Sequence, residues 1–222
     1  MPVVVRTWNL FHGNADPPER RAFLREMVEL VTADDPGIVC LQEVPLWALP
    51  HLEEWSGMRA VTAVGARPRL GSARLGGWIT ELNHGRLRSA LTGEGVAILV
   101  ARGRALEPLR PLDVGPRRSL ARARVDGILV GCFHVTGGAV ADEQLRRVVE
   151  LVAEEPRVVL AGDANLRPPY DLVEWSAPLP GSIDQILVRG VRSSAPTAWP
   201  EERRRLEGRV LSDHAPVELT VG

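Results

Sequence analysis

The sequence predicts one α/β domain spanning residues 1–222, with β-sheets stacked face to face and helices on the outside. Short runs rich in β-branched and apolar residues recur along the whole chain. Only two long segments carry a helical period, and no repeat, low-complexity tail or linker-like shift in composition divides the chain. At 222 residues the chain is long for one core, a length that suits a two-sheet fold.

The elements follow in order. "PVVVRTW" reads as a strand, and "PPERRAFLREMVELVTA" as a helix with Phe23, Met27, Leu30 and Val31 on one face and Pro17-Pro18 near its start. "GIVCLQEV" is a buried strand, "PLWALPHLEEW" a short helix broken near Pro50, and "MRAVTAV" a third strand. Residues 65–93 are rich in Gly and Arg with weak periodicity, which predicts a long surface loop or irregular hairpin. "GVAILV" resumes the strands, and "SLARARVDGILVGCFHV" is a hairpin turning at Asp126-Gly127. "VADEQLRRVVELVAEE" is a second amphipathic helix with Leu145, Val148, Val149 and Val152 inward, and "RVVLAGDAN", "SIDQILVRG" and "APVELTV" are closing strands.

Composition excludes several classes of function. No apolar run approaches membrane-spanning length, and the N-terminus lacks a basic start and a long apolar core, so neither an anchor nor a signal peptide is expected. Cys40 and Cys132 both lie inside apolar strands without metal-ligand spacing, which points to buried thiols and a cytoplasmic location. A net charge of −1 argues against a generic polyanion binder. Every basic residue is Arg, the better fork for phosphate, but the complete absence of Lys favours a coding bias, so the choice of Arg proves little.

Polar residues interrupt the apolar strands in one kind of place. Asn9, Glu43, His134, Asp163 and Asn165 stand at strand ends, Asp184 begins a strand, and Asp213-His214 precede the last one. Turn chemistry explains each alone. Their recurrence on different strands also fits a crevice where strand ends meet. Glu43, Asp213 and Asn9 offer oxygen donors suited to Mg²⁺ or Mn²⁺. With two imidazoles and an Asp–Asn pair, the set suits attack of water on a phosphoester. Neither a nucleophile elbow nor a GxxxxGK[ST] loop is present.

"TWNLFHGN", "LQEV", "GEGVAIL", "CFHVTGG", "LAGDANLRP", "SIDQILV" and "LSDHAPV", in this order, closely resemble the endonuclease/exonuclease/phosphatase superfamily. That family includes DNase I-like nucleases, abasic-site endonucleases, neutral sphingomyelinases and inositol polyphosphate 5-phosphatases. The resemblance implies a four-layer sandwich of two mixed sheets flanked by helices. It makes Glu43 the main metal ligand, with Asn9 and Asp213 setting the metal and its waters. His214 becomes a proton-transfer group oriented by Asp184, and His134 a second imidazole oriented by Glu94. Asp163 would position or deprotonate the attacking water, Asn165 would hold a phosphoryl oxygen, and Arg117 or Arg118 would approach the phosphate. His12 reads as a crevice-lining or simply solvated loop residue. The presence of His134 favours the DNase, phosphatase and sphingomyelinase side of the family.

The expected activity is therefore a Mg²⁺- or Mn²⁺-dependent phosphodiesterase or nuclease. A phosphatase acting on a small or lipid-linked phosphate is the alternative, and a catalytically silent binding module the third reading. The substrate is a phosphoester, with nucleic acid among the candidates through the Arg-bearing segments 65–93 and "PEERRRLEGR". No membrane anchor and no obligate protein partner are expected.

Overall fold

Alternation along the strands builds the molecule. On β1 (Val3–Asn9), Val3 and Val5 face one way and Trp8 the other; on β3 (Ile38–Pro45), Ile38 and Cys40 oppose Val39 and Leu41. One set of residues packs between two sheets, and the other packs under helices. The computed structural model describes residues 2–67, 92–172, 174–176 and 178–222, so most of the Gly/Arg-rich 65–93 segment lies outside the described residues.

Among the described residues the first sheet has six strands, in the order β11 (Thr197–Ala198), β14 (Val217–Val221), β1, β3, β5 (Glu94–Val100) and β4 (Arg59–Ala66). The second, among the same residues, has five, in the order β10 (Asp184–Arg189), β9 (Val158–Asp163), β8 (Ile128–His134), β7 (Arg118–Val125) and β6 (Leu106–Gly115). Both are mixed: β1 pairs with β3 in parallel and β8 with β9 in parallel, while their other neighbours are antiparallel. The inter-sheet core runs through Val5, Cys40, Ile98, Val130, Val159 and Ile186. The helices α1 (Leu24–Thr32) and α2 (Leu52–Ser56) cover the outer face of the first sheet, and α3 (Ala141–Glu150) covers the second. Four layers result, as the sequence motifs imply. No described helix is long and apolar enough to cross a membrane.

Three local differences have physical causes. Helix α1 begins at Leu24, later than the Pro17-Pro18 signal suggests. The Phe23 N–H is bonded to Gly13 O, and the Pro17 carbonyl accepts from Arg209 (2.7 Å), so the preceding segment is tied to neighbouring loops instead of coiling. Strand β6 is not apparent in the sequence, because Pro108 and Pro111 argue against a strand. Among the described residues it is an edge strand paired only with β7, where a missing N–H is tolerated. "PEERRRLEGR" folds into a short turn and the hairpin of β12 (Arg205–Leu206) with β13 (Arg209–Leu211), which joins β2 (Ala15–Asp16) in a small third sheet.

Candidate active site

The polar residues continue the inward-facing register of the strands that carry them. Val3 and Val5 lead to Asn9, Val130 and Cys132 to His134, and Val159 and Ala161 to Asp163. Glu94 precedes the inward Val96 and Ile98, and Asp184 precedes Ile186 and Val188. In the second sheet His134 is registered opposite Asp163, and Asp163 opposite Asp184, one line across three strand ends. Gly162 permits this close pairing, because a Cβ there would stand 1.9 Å from Phe133 O. On β3 the alternation would turn Glu43 outward. A bulge between Leu41 and Val44, with Glu43 at φ +50°, re-aims it toward the crevice.

Asp163 is the hub. It is 1 % exposed, and its Oδ2 accepts from Asn9 Nδ2 (3.0 Å) and Asn165 Nδ2 (3.2 Å) while Oδ1 accepts the Asn165 backbone N–H (2.8 Å). His134 Nε2 stands 3.6 Å and His214 Nε2 4.0 Å from the same Oδ2. The His214 Nδ1–H donates to Asp184, whose two oxygens lie 2.9 and 3.0 Å away. The chain before His214 is anchored too, since Ser212 Oγ donates to Asn9 O (2.7 Å) and Trp8 Nε1 to His214 O (2.9 Å).

Environment separates the two imidazoles. Burial, together with the nearby Arg118 guanidinium, pushes His134 below its ordinary range, so the ring is neutral. Burial would lower His214 as well, but the hydrogen bond and charge of Asp184, with Asp163 and Asp213, raise it to about 9. Asp184 is pushed up to about 6 by burial and by neighbouring carboxylates, against the pull of His214. Near neutral pH the pair is carboxylate and imidazolium. Burial also raises Asp213, whose side chain is 57 % exposed beside His214 Nε2 (3.8 Å).

Several residues take places other than those expected. Asn9 turns its amide nitrogen toward Glu43 (3.1 Å) and Asp163, while its oxygen accepts the Phe11 N–H (2.9 Å). It braces the carboxylates and does not present its oxygen to them. Glu94 pairs with Arg118 and lies 3.5 Å from His12; among the described residues it makes no hydrogen bond to His134. Arg118 also donates to Thr136 Oγ1 (3.2 Å), so of the two adjacent arginines Arg118 is committed and Arg117 is exposed in the cleft. His12 is not solvated: it is 3 % exposed, with Nε2 3.2 Å from Glu43 Oε2. Burial works against its charge, yet Glu43 and Glu94 raise it to about 9, while His12 in turn draws Glu43 down to about 2 against burial. Left-handed conformations at Phe11 (φ 46°), His12 (φ 52°) and Gly13 (φ 82°) fold the loop inward; only the glycine of "FHG" signals that turn in the sequence.

A cleft of about 740 Å³ opens over this centre, lined by Phe11, His12, Glu43, Glu94, His134 and Asn165 with Arg117, Thr136 and Val140 at its sides. The cations of "PEERRRLEGR" are engaged within the chain. Arg203 pairs with Asp34 and Glu218, Arg205 with Glu201 and Arg209 with Glu19, while Arg204 holds the Leu211 and Ser212 carbonyls. The described carboxylate and imidazole groups with metal-binding spacing are His12–Glu43–Glu94 and Asp163–Asp184–His214.

Residues 7–214 match the sequence model described as the Endonuclease/Exonuclease/phosphatase family. No curated protein matches the chain. Among solved structures, a humanized D. rerio TDP2 superposes with TM-score 0.70 at 17% identity, covering 100% of this chain and 99% of that one. A functionally unknown conserved protein from Enterococcus faecalis gives 0.69 at 14% identity, covering 99% of both chains. The human Nocturnin catalytic domain, with bound sulfate anion, gives 0.65 at 12% identity, covering 100% and 93%. At these identities the likeness is one of fold.

Proposed function

The chain belongs to the endonuclease/exonuclease/phosphatase family of phosphoester hydrolases, and on that premise we propose that it is a Mg²⁺- or Mn²⁺-dependent phosphodiesterase or nuclease. The observation that carries this reading is the Asp184–His214 pair facing Asp163, with the neutral His134 approaching the same carboxylate oxygen. A proton donor, an anionic base and a neutral hydrogen-bonding imidazole meet at one mouth.

The donor chemistry fits a hard divalent cation. Glu43 is fixed by Asn9 and left with an oxygen turned into the cleft, and the half-exposed Asp213 stands near by. Bound there, the cation would offset charge on the phosphoryl and leaving oxygens. Asp163 orients the attacking water and accepts its proton as the water oxygen bonds to phosphorus. The P–O bond to the leaving group breaks, and the His214 imidazolium, held by Asp184, supplies the leaving oxygen with a proton. His134 and Asn165 line the cleft side by side (Nε2 to Nδ2, 3.3 Å) and hold a phosphoryl oxygen. Arg117 meets the phosphate from the cleft wall.

One structural neighbour, D. rerio TDP2 complexed with single strand DNA product, supports nucleic acid as a candidate substrate. A second reading, a small phosphate ester, is supported by the cleft's modest size and by Arg117 being its one uncommitted guanidinium among the described residues. No metal-ligand or imidazole position of the motif is missing, which speaks against a silent binding module. The buried free Cys40 and Cys132 support a cytoplasmic location, and the continuous inter-sheet core supports one domain.

The test is hydrolysis of plasmid DNA, single-stranded DNA, RNA, bis-p-nitrophenyl phosphate, inositol phosphates and sphingomyelin, with and without Mg²⁺ or Mn²⁺. Cleavage that needs the metal and disappears in both Glu43→Ala and His214→Ala is expected. Turnover that survives both substitutions, or none on any substrate, would overturn the proposal.

A further inference from the structure

Three donor atoms converge on one point in the cleft, and of these the hydrolytic scheme uses only the Glu43 oxygen. Glu43 Oε1 accepts from Asn9, and Glu94 Oε1 is held by Arg118. The second oxygen of each carboxylate is turned to the same imidazole nitrogen: His12 Nε2 lies 3.2 Å from Glu43 Oε2 and 3.5 Å from Glu94 Oε2. His12 is buried, and neither of its ring nitrogens makes a hydrogen bond of ordinary geometry among the described residues. An imidazolium serving only as an ion-pair partner would aim an N–H along the line to one of these oxygens. The spacing matches a different arrangement. Ligand atoms about 2.0–2.2 Å from one ion stand roughly 3.0–3.5 Å apart.

We infer that His12 Nε2, Glu43 Oε2 and Glu94 Oε2 form the inner ligand set of the catalytic cation, and that this set selects a first-row transition ion over Mg²⁺. Mg²⁺ takes oxygen ligands and parts reluctantly with its waters, whereas imidazole nitrogen favours transition ions. The strained turn at Phe11 and His12 then has a function, since it delivers a nitrogen donor that an extended loop would leave in solvent. Asp213, more than half exposed, stands outside this inner set.

The inference rests on reading the cleft as the hydrolytic centre, but it is tested by binding. The full chain, stripped of metal, is titrated with Mn²⁺ alone and then in competition with Mg²⁺, and the bound Mn²⁺ is examined by pulsed electron paramagnetic resonance for coupling to ¹⁴N. Wild type is expected to show that coupling. His12→Asp is expected to bind Mn²⁺ without it and to lose roughly tenfold or more of the Mn²⁺-over-Mg²⁺ preference. Glu94→Gln is expected to weaken Mn²⁺ by a similar factor while keeping the ¹⁴N signal. Circular dichroism and thermal melting establish that each variant is folded. Coupling that persists in His12→Asp, or an unchanged ion preference, would overturn the inference. Loss of coupling and of preference with no phosphoester cleaved under any ion would leave the metal site standing and overturn the hydrolytic reading instead.

Discussion

The same strands end in opposite chemistry at the two ends of the sandwich. At one end Asn9, Glu43, Glu94, His134 and Asp163 close the inter-sheet layer; at the other, Val3, Ile38, Val125, Ile128, Val159 and Val221 do, around a cleft of about 660 Å³. The ends differ in backbone as well. Phe11, His12, Glu43, Asn165 and Ser212 all adopt left-handed conformations around the polar end. Around the far end the non-glycine examples are Asp35 and Asp126, a residue type that tolerates that region in turns. Each left-handed bulky residue costs about 1–3 kcal/mol. The polar end is therefore held in place by the packing beneath it, and the far end is part of that packing.

The largest expected effect separates the two ends directly. His214→Ala should lower kcat roughly 10²–10⁴-fold, the usual range for a positioned acid–base group, with little change in melting temperature. Ile38→Ala, at 2 % exposure between the sheets, should cost about 2–5 kcal/mol of stability and leave kcat of the folded protein near wild type. Steady-state kinetics and thermal melting on both variants check this. If Ile38→Ala lowered kcat as much as His214→Ala does, the two ends would not be separable.

A smaller effect sharpens the polar end. Among the described residues Asp184 reaches the chemistry through its hydrogen bond from His214 Nδ1, so Asp184→Asn should lower kcat roughly 10–100-fold with KM little changed. A shift in the acid–base profile of kcat should accompany it, because the carboxylate that keeps His214 charged is gone. Unchanged turnover would remove Asp184 from the role of orienting group.

The contrast between the ends also explains what was legible in the sequence. The strands β1, β3, β5, β8, β9, β10 and β14 announce themselves as short apolar, β-branched runs, and the Asp126-Gly127 turn marks the β7–β8 hairpin. Asn9, His134, Asp163 and Asp184 are legible because each interrupts such a run at an end, where a polar residue is conspicuous. Strand β6 was hidden by Pro108 and Pro111, since sequence cannot tell an edge strand from a loop. Sequence leaves His12 open between a crevice-lining and a solvated residue because its burial is made by a backbone turn and by two carboxylates distant in sequence. The partner of Glu94 was misplaced for a related reason. Which cation a carboxylate meets depends on how β5 and β7 face each other across the two sheets, and no local pattern encodes that.

The smallest effect lies at the far end, where one ion pair borders the apolar cleft. Arg104 Nη1 donates to Asp126 Oδ2 (2.6 Å), and the Ala105 N–H to Oδ1 (3.0 Å), at the turn between β7 and β8. Burial opposes the Asp126 charge, but these two donors together with the Arg104 charge outweigh it and hold the carboxyl below the ordinary value of 3.8. A depressed carboxylate contributes stability that is full above its unfolded value and is lost as pH falls through the folded one. Both side chains are partly exposed, so the pair contributes no more than about 1 kcal/mol after solvent screening, and less in high salt. Asp126→Asn keeps an acceptor for Ala105 and a residue that tolerates the left-handed turn, and so removes little but the charge. It should lower the melting temperature slightly near neutral pH and leave turnover unaltered. The two melting curves should then converge as pH drops below the carboxylate range. A gap that persisted in acid would assign the effect to the turn's backbone instead of the ion pair, and a change in turnover would show that the two ends communicate.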